Sequence, residues 1–178
     1  DEASKKYRES ISKYKQAIYL NPKYSDAYYR LGVSLETLGV NDEAIKRFEK
    51  AIELAPRHPY AYNDLGYALE RLGKYNLAIE KYKEAIRLNA TYPPPYEGWV
   101  KSLEAISKDK TDNGEVKKEL AKAYYGWGWA LSEVCKRSQP IEKCNTDRAI
   151  VEKYRKAKEL GGGLFKSGSD GNIGKSFP

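Results

Sequence analysis

Between residues 25 and 92 the chain contains one 34-residue segment twice in succession. The matched pairs are Ala27 and Ala61, Tyr28 and Tyr62, Leu31 and Leu65, Gly32 and Gly66, Leu35 and Leu69, Leu38 and Leu72, Gly39 and Gly73, Ala44 and Ala78, Ile45 and Ile79, Phe48 and Tyr82, Ala51 and Ala85, Ile52 and Ile86, and Leu54 and Leu88. A period of about 20–50 residues is typical of stacked arrays, in which each repeat packs against its neighbours. The repeat therefore predicts an array of similar units rather than a single closed core.

Each copy divides into two amphipathic helices, which predicts an all-α fold of antiparallel helix hairpins. In the first copy we expect helices over about residues 26–38 and 41–54. Gly39 lies between them, where a left-handed residue ends a helix at least cost, and Asn41 or Asp42 is expected to cap the next helix. Pro56 should stop that helix, since proline cannot continue the hydrogen-bond ladder.

Small residues on the two helices of each copy are expected to face each other. Gly32 would pair with Ala44, and Gly66 with Ala78, so that the helix backbones approach closely. Larger side chains would fill the surrounding space: Tyr28, Leu35, Phe48 and Tyr82.

These residues carry a family resemblance. Tyr28, Leu31, Gly32 and Leu35, followed by Ala44, Phe48, Ala51 and Pro56, resemble the tetratricopeptide repeat, with its aromatic-leucine-glycine-aromatic helix A and alanine-aromatic-alanine-proline helix B. Tyr62, Leu65, Gly66 and Leu69, with Ala78, Tyr82 and Ala85, repeat the pattern. The resemblance implies an α-solenoid wound as a right-handed superhelix, and it extends over residues 1–92.

Residues 1–24 match only the second half of a repeat. Ile11, Tyr14, Ala17, Ile18 and Leu20 precede their counterparts in the first full copy by 34 residues. We therefore expect the second helix of a truncated repeat, covered either by repeats that precede residue 1 in a longer protein or by self-association. The chain has no methionine, which also suggests an excised or processed piece.

After residue 92 the pattern weakens. The expected divisions are full repeats over 25–58 and 59–92, a degenerate repeat with a long second helix over 93–137, a C-terminal capping helix over 145–160, and a flexible Gly- and Ser-rich tail over 161–178. Val100 occupies the place of the two glycines, so this hairpin should pack more widely or tilt. In an alternative interpretation, Trp127 and Gly128 belong to the first helix of a fourth repeat, and Tyr154 belongs to its second helix.

Composition excludes several classes of protein. Lys and Arg number 32 and Asp and Glu 25, a net charge of +7, and the interspersed acidic residues indicate a solvated surface rather than a nucleic-acid footprint. The excess mildly favours acidic partners. No apolar run approaches the roughly 18 residues of a membrane span. The compartment is left open, with a soluble, cytoplasmic location slightly favoured.

No constellation for catalysis or metal binding is present in the sequence. The single histidine, His58, lies in an inter-repeat turn, and no nucleophile or phosphate-binding motif occurs. Cys135 and Cys144 could close a loop as a disulfide or remain as two free thiols; a zinc site would need further ligands. We expect no enzyme, no metal, no cofactor and no small-molecule substrate.

The resemblance implies that helix A residues line a concave groove that binds another protein. The groove residues carried over are Asp26, Tyr29, Arg30, Val33, Glu36 and Thr37 from the first full repeat, Tyr60, Asn63, Asp64, Tyr67, Glu70 and Arg71 from the second, and Glu97, Lys101 and Glu104 from the third. A branch of the family holds the carboxylate of chaperone tails with lysine, asparagine and arginine. Here those positions hold Tyr29, Val33, Asp64, Pro94 and Gly98, so such a clamp is not expected.

The sequence thus predicts a non-catalytic interaction module or scaffold that binds an extended peptide or a helix of a partner protein. The alternative is a structural assembly protein that associates end to end through its repeats. RNA binding is less favoured, because the expected groove contains several acidic residues.

Overall fold

The computed structural model describes residues 2–109 and 114–161 of the 178-residue chain. Within these ranges it contains nine α-helices and no strand, which confirms the all-α helix-hairpin repeat fold. The helices are α1 (Glu2–Leu20), α2 (Ser25–Thr37), α3 (Asn41–Leu54), α4 (Pro59–Arg71), α5 (Tyr75–Leu88), α6 (Pro94–Asp109), α7 (Gly114–Lys136), α8 (Ile141–Thr146) and α9 (Arg148–Gly161). They form two compact units, one of α1–α5 and one of α6–α9.

The first unit is built from two hairpins and one additional helix. Helices α2 and α3 form the first hairpin and α4 and α5 the second, while α1 packs on α2 and α3 packs on α4. Phe48 and Tyr82, 34 residues apart, are both fully buried in this unit. Burial of each ring contributes roughly 1.5–3 kcal/mol, so equivalent positions of the repeat provide equivalent parts of the core.

Helix α1 is only half covered. Its residues Tyr14 and Ala17 are partly exposed, whereas Phe48 and Ala51, 34 residues later, are fully buried. Among the described residues, α1 packs on α2 alone. This is the burial pattern expected of a second helix that has no first helix beside it.

Gly32 and Gly66 admit aromatic rings from the second helix of each hairpin. A Cβ atom on Gly32 would lie 2.6 Å from Cε1 of Phe48, and one on Gly66 would lie 2.8 Å from Cε1 of Tyr82. The predicted glycine–alanine pairing is therefore incomplete, because the group that requires the glycine is the ring. Ala44 is itself fully buried.

The turns within the two hairpins differ from the prediction in one detail. Gly39 and Gly73 have φ angles of 77° and 71°, the left-handed conformation expected of them. The predicted cap by Asn41 or Asp42 is wrong: Val40 is the N-cap residue, and no side chain caps α3. The glycine turns the chain so tightly that α3 already begins at Asn41, which leaves both polar residues inside the first turn.

In the second unit, α7 packs against both α6 and α9, and its contact with α9 is the more extensive. Gly128 on α7 faces Tyr154 on α9, where an added Cβ would lie 3.2 Å from the ring. Gly126 on α7 faces Tyr96 on α6, where an added Cβ would lie too close to the ring for any side chain. Gly128 precedes its ring in the chain, as Gly32 and Gly66 precede theirs in the first unit. This order favours the alternative in which α7 and α9 form the last hairpin; the repeat boundaries remain a prediction.

The end of the second unit is closed by a disulfide. Cys135 near the end of α7 and Cys144 in α8 are bonded, with 5.8 Å between their Cα atoms, and Cys144 is buried. The sequence left this bond and two free thiols as alternatives. The predicted flexible tail lies outside the described residues except for Gly161, the last residue of α9.

None of the described helices combines the length and apolar character that crossing a membrane requires.

Candidate functional site

The predicted groove residues of the first unit lie on α2 and α4, which contact each other side by side. We call their shared surface the α2–α4 face. It consists of Asp26, Tyr29, Arg30, Val33, Glu36, Thr37, Tyr60, Asn63, Asp64, Tyr67, Glu70 and Arg71. The role of these residues in binding remains a prediction, but their geometry shows which are fixed and which are accessible.

Asp64 is the most firmly held carboxylate of the face. The Tyr29 hydroxyl on α2 donates a hydrogen bond to its Oδ2 at 2.9 Å, and Asn63 Nδ2 donates to its Oδ1 at 2.9 Å. Burial raises the pKa of Asp64 above its ordinary value, while these two hydrogen bonds and nearby His58 act in the opposite direction. The bond from Tyr29 also joins the two helices of the face.

His58 supports this part of the face, although the sequence indicated only a turn residue. Its Nδ1 accepts a hydrogen bond from the backbone N–H of Ala61 at 3.0 Å and so caps α4. Its ring centre lies 4.6 Å from that of Tyr29 and 6.0 Å from that of Tyr60. A polar residue just before Pro59, at the start of a predicted helix, was the signal that could have identified the cap.

Two tyrosines on α4 are accessible. Tyr60 is 46% exposed and Tyr67 is 39% exposed. They lie one helical turn before and one turn after Asp64, since residues three or four apart share a helix face. Large exposed aromatic side chains are a common anchor for protein partners, because they bury much area at little entropic cost.

At the start of α2, two charged residues neutralise each other. Arg30 Nε lies 3.0 Å from Asp26 Oδ2, and both side chains are about half exposed. The hydrogen bond and the charge of Asp26 raise the pKa of Arg30. An exposed pair of this kind contributes little to stability, about 0–1 kcal/mol.

Glu36 and Glu70 occupy equivalent positions, 34 residues apart, but differ in their partners. Glu70 Oε2 accepts a hydrogen bond from the Tyr82 hydroxyl at 2.9 Å. The residue equivalent to Tyr82 in the first copy is Phe48, which has no hydroxyl. Within the described ranges, the carboxylate of Glu36 makes no hydrogen bond or ion pair.

The electrostatic environment of Glu36 reflects this lack of a partner. Burial, followed by the charge of Asp64, raises the pKa of Glu36 above its ordinary value of 4.5, and Arg71 opposes the shift. The charge of Asp64 therefore disfavours ionisation of Glu36. The remaining predicted residues of the face are half-buried Val33 and exposed Thr37 and Arg71.

The predicted groove residues of the third repeat belong to the second unit. Lys101 pairs with Glu97 along α6, with 2.6 Å between Nζ and Oε1. Glu104 accepts a hydrogen bond from the Tyr124 hydroxyl of α7 at 2.7 Å. Their role as binding residues remains a prediction.

The second unit contains an aromatic cluster that sequence reasoning did not identify. The rings of Tyr124 and Trp127 stack with centres 6.3 Å apart, and Nζ of Lys153 on α9 lies 3.8 Å from the centre of the Trp127 ring. Lys156 Nζ lies 5.2 Å from the centre of the Tyr124 ring. These cation–π contacts help fasten α9 to α7. They became visible only once the two helices were known to pack together.

The described part of the chain contains no group of three or more His, Cys, Asp or Glu side chains that could hold a metal ion. The only histidine ring uses its Nδ1 to cap α4. The groups that the α2–α4 face presents are hydrogen-bonding, charged and aromatic.

Comparison with known proteins agrees with this architecture. Residues 23–90 match the family model described as tetratricopeptide repeat, and residues 3–39 match one described as TPR repeat. No curated protein sequence matches the chain significantly.

Several solved structures share the fold at low sequence identity. A crystal structure of MamA has 23% identity and a TM-score of 0.55, and the match covers 84% of this chain and 85% of that one. The first TPR domain of Spaghetti (RPAP3), bound to an HSP90 peptide, has 20% identity and a TM-score of 0.54, covering 76% and 90%. YrrB, described as a TPR protein with an unusual peptide-binding site, has 20% identity and a TM-score of 0.52, covering 88% and 78%.

Proposed function

We propose that this chain, which belongs to the tetratricopeptide repeat family over residues 3–90, is a non-catalytic module that binds a segment of another protein on its α2–α4 face. The observation that carries the proposal is the combination of accessible Tyr60 and Tyr67 with the carboxylate of Asp64 held fixed between them. The segment is an extended peptide or a helix. Two of the proteins with a similar fold are described as peptide-binding, which supports this class of function.

The bound segment differs from an acidic chaperone tail. The positions that would clamp a terminal carboxylate hold Tyr29, Val33 and Asp64 on this face. A negatively charged tail would meet the fixed carboxylate of Asp64, and like charges at close range disfavour binding. The HSP90 peptide in the Spaghetti structure is therefore not a model for the ligand of this chain.

A double substitution tests the proposal. Tyr60→Ala with Tyr67→Ala removes accessible rings without touching the Tyr29–Asp64 hydrogen bond, so helicity should be retained. The matched control is Tyr19→Ala with Tyr24→Ala, which removes two exposed tyrosines outside the face. Proteins captured by the wild-type chain should be lost with the face variant and kept with the control.

Peptides from the captured proteins should then bind the purified chain directly, with at least a tenfold weaker Kd for the face variant. Each buried tyrosine anchor is worth roughly 1–2 kcal/mol, which sets this expectation. Capture that is insensitive to the face variant, or sensitive to both variants alike, would show that the α2–α4 face is not the binding surface.

A second candidate function is assembly through α1. Tyr19 and Leu20 at the end of this helix are 85% and 75% exposed, and Tyr14 is only half-buried. If copies associate through this surface, sedimentation should show concentration-dependent size, and Tyr14→Glu should abolish it. A monomer at all concentrations would exclude this role for the chain.

The cytoplasmic location that the sequence slightly favours also remains a prediction. The disulfide between Cys135 and Cys144 argues for an oxidising compartment instead, because disulfides are rare in a reducing cytosol.

A further inference from the structure

We infer that the segment bound on the α2–α4 face is basic, and that a lysine or arginine side chain of this segment pairs with Glu36 beside Asp64. This inference rests on the proposed function and specifies the chemistry of the partner. It is carried by a difference between the two copies of the repeat, by the charge of the two helices and by the bonding of Asp64.

The difference between the copies concerns one hydroxyl group. Glu70 has an internal donor in Tyr82, at 2.9 Å, whereas the equivalent position in the repeat of Glu36 is Phe48, which has no hydroxyl. The carboxylate of Glu36 is half-buried and, within the described ranges, has no hydrogen bond or ion pair. Partial burial of a carboxylate that has no internal donor is unfavourable, and an incoming ammonium or guanidinium group would relieve that cost.

The charge of the face differs in sign from the charge of the chain. The chain carries a net charge of +7, yet α2 and α4 contain four carboxylates, two arginines and no lysine. One of the arginines, Arg30, is already paired with Asp26. The only other cation of these helices, Arg71, lowers the pKa of Glu36 by less than burial and the charge of Asp64 raise it. Charge complementarity therefore favours a cationic partner at this face.

Asp64 gives the cation a fixed second ligand. Both of its oxygens are oriented by hydrogen bonds from Tyr29 and Asn63, so binding a cation requires no reorganisation of this side chain. Each carboxylate oxygen has two lone pairs and can accept a further donor. Tyr60 and Tyr67 flank Asp64 and can pack along the aliphatic stem of a lysine or arginine.

The test uses three labelled decapeptides and fluorescence anisotropy. One probe alternates lysine and leucine, the second glutamate and leucine, and the third serine and leucine. The wild-type chain should bind the lysine probe at least tenfold more tightly than the other two, and the Kd should rise with salt. Non-specific attraction does not explain this result, because the chain as a whole is positively charged.

Glu36→Gln with Asp64→Asn should weaken binding of the lysine probe at least tenfold. The control, Glu49→Gln with Glu80→Gln, removes two exposed carboxylates from α3 and α5 and should leave the Kd within twofold. Phe48→Tyr is a second variant, which leaves the net charge unchanged and gives Glu36 the internal donor that Glu70 has. It should weaken binding of the lysine probe several-fold.

The inference is overturned if the lysine probe binds no better than the glutamate probe, or if its Kd is unchanged in both Glu36→Gln/Asp64→Asn and Phe48→Tyr. Tighter binding of the glutamate probe that Tyr60→Ala/Tyr67→Ala abolishes would leave the proposed function standing and correct only the charge of the partner. Partner capture that survives Tyr60→Ala/Tyr67→Ala would refute the proposed function itself.

Discussion

Tyr96 on α6 packs its ring against Gly126 on α7, so that the ring precedes the glycine in the chain. In the first unit the order is the opposite: Gly32 and Gly66 precede the rings of Phe48 and Tyr82. The same close contact between a helix backbone and an aromatic face is thus used in both orders. It requires only that one helix lacks a Cβ where the other presents a ring.

The contact at Gly66 predicts a large effect of a single methyl group. Gly66→Ala would place Cβ 2.8 Å from the buried ring of Tyr82, which cannot move without displacing its neighbours. We expect a loss of about 1–3 kcal/mol in the free energy of unfolding, despite the better helix propensity of alanine. Urea denaturation followed by circular dichroism measures this loss. Gly114→Ala, where nothing lies within 4 Å, is the control; equal effects would contradict the assigned contact.

Val100 provides the converse prediction. It occupies the position of Gly32 and Gly66 in the repeat, yet its side chain is buried at 2% exposure. Restoring the glycine with Val100→Gly should therefore destabilise the chain by about 2–4 kcal/mol, because it leaves a cavity and loosens the helix. The same urea experiment tests it. An increase in stability would mean that the second unit follows the repeat more closely than its contacts indicate.

The hydrogen bond between Tyr82 and Glu70 can be removed by deleting one atom. Tyr82→Phe should cost about 1–2 kcal/mol, since the bond is made to a half-buried carboxylate. Burial and the charge of Glu70 raise the pKa of Tyr82, so the wild-type hydroxyl remains protonated throughout the neutral range. The loss should be smaller in a Glu70→Gln background, because a neutral amide oxygen accepts a weaker hydrogen bond than an ionised carboxylate. A double-mutant cycle measures this coupling energy.

Glu36 predicts a pH dependence whose sign follows from its raised pKa. The folded chain holds this proton to higher pH than the unfolded chain, so ionisation of Glu36 disfavours folding above the raised pKa. The penalty is present at pH 7, is relieved as pH falls through the raised pKa, and vanishes below the ordinary value of 4.5.

Glu36→Gln should therefore be more stable than the wild type at pH 7, and the difference should shrink as pH falls towards 4.5. Urea midpoints across this range provide the measurement. Glu49→Gln, an exposed carboxylate on α3, controls for the loss of one charge. A difference that grows on acidification would contradict the assigned direction of the shift.

The disulfide predicts a redox dependence confined to the second unit. Its two cysteines are 9 residues apart, and closing a loop of this size contributes about 2.5 kcal/mol in the chain-entropy model. Cys135→Ala with Cys144→Ala should lower the stability of α7–α9 by that order. Hydrogen exchange should show the loss in these helices and leave α2–α5 unchanged. Thiol titration of the unreduced protein should detect no free cysteine.

Much of the first unit could be predicted from the period alone. The 34-residue spacing defined the hairpins, and the left-handed glycines at 39 and 73 were correctly expected at their turns. The residues within each segment determine its hairpin and its turn, so these features can be predicted from a single sequence. The cap of α3 was predicted wrongly, because the helix begins at Asn41 as expected and its N-cap residue is therefore Val40.

The contacts that were not predicted join residues that are far apart in the sequence. The bond from Tyr29 to Asp64 spans 35 residues, and only the relative rotation of α2 and α4 decides whether it forms. The pairing of Tyr96 with Gly126 has no counterpart in the two copies, because Gly126 does not lie 34 residues after a glycine, so the period could not indicate it. Similarly, Lys153 could be placed over Trp127 only after α9 was seen to pack on α7.

The exchange of phenylalanine and tyrosine at positions 48 and 82 has an evolutionary consequence. Two copies of one ancestral segment share their backbone and their buried ring, yet a single oxygen atom decides whether the nearby glutamate is satisfied within the molecule. Such a change lies in the interior, where it alters neither the turn nor the helix register. A duplicated array can therefore change what its copies recognise by a substitution in the core, in addition to the differences between the exposed residues of α2 and α4.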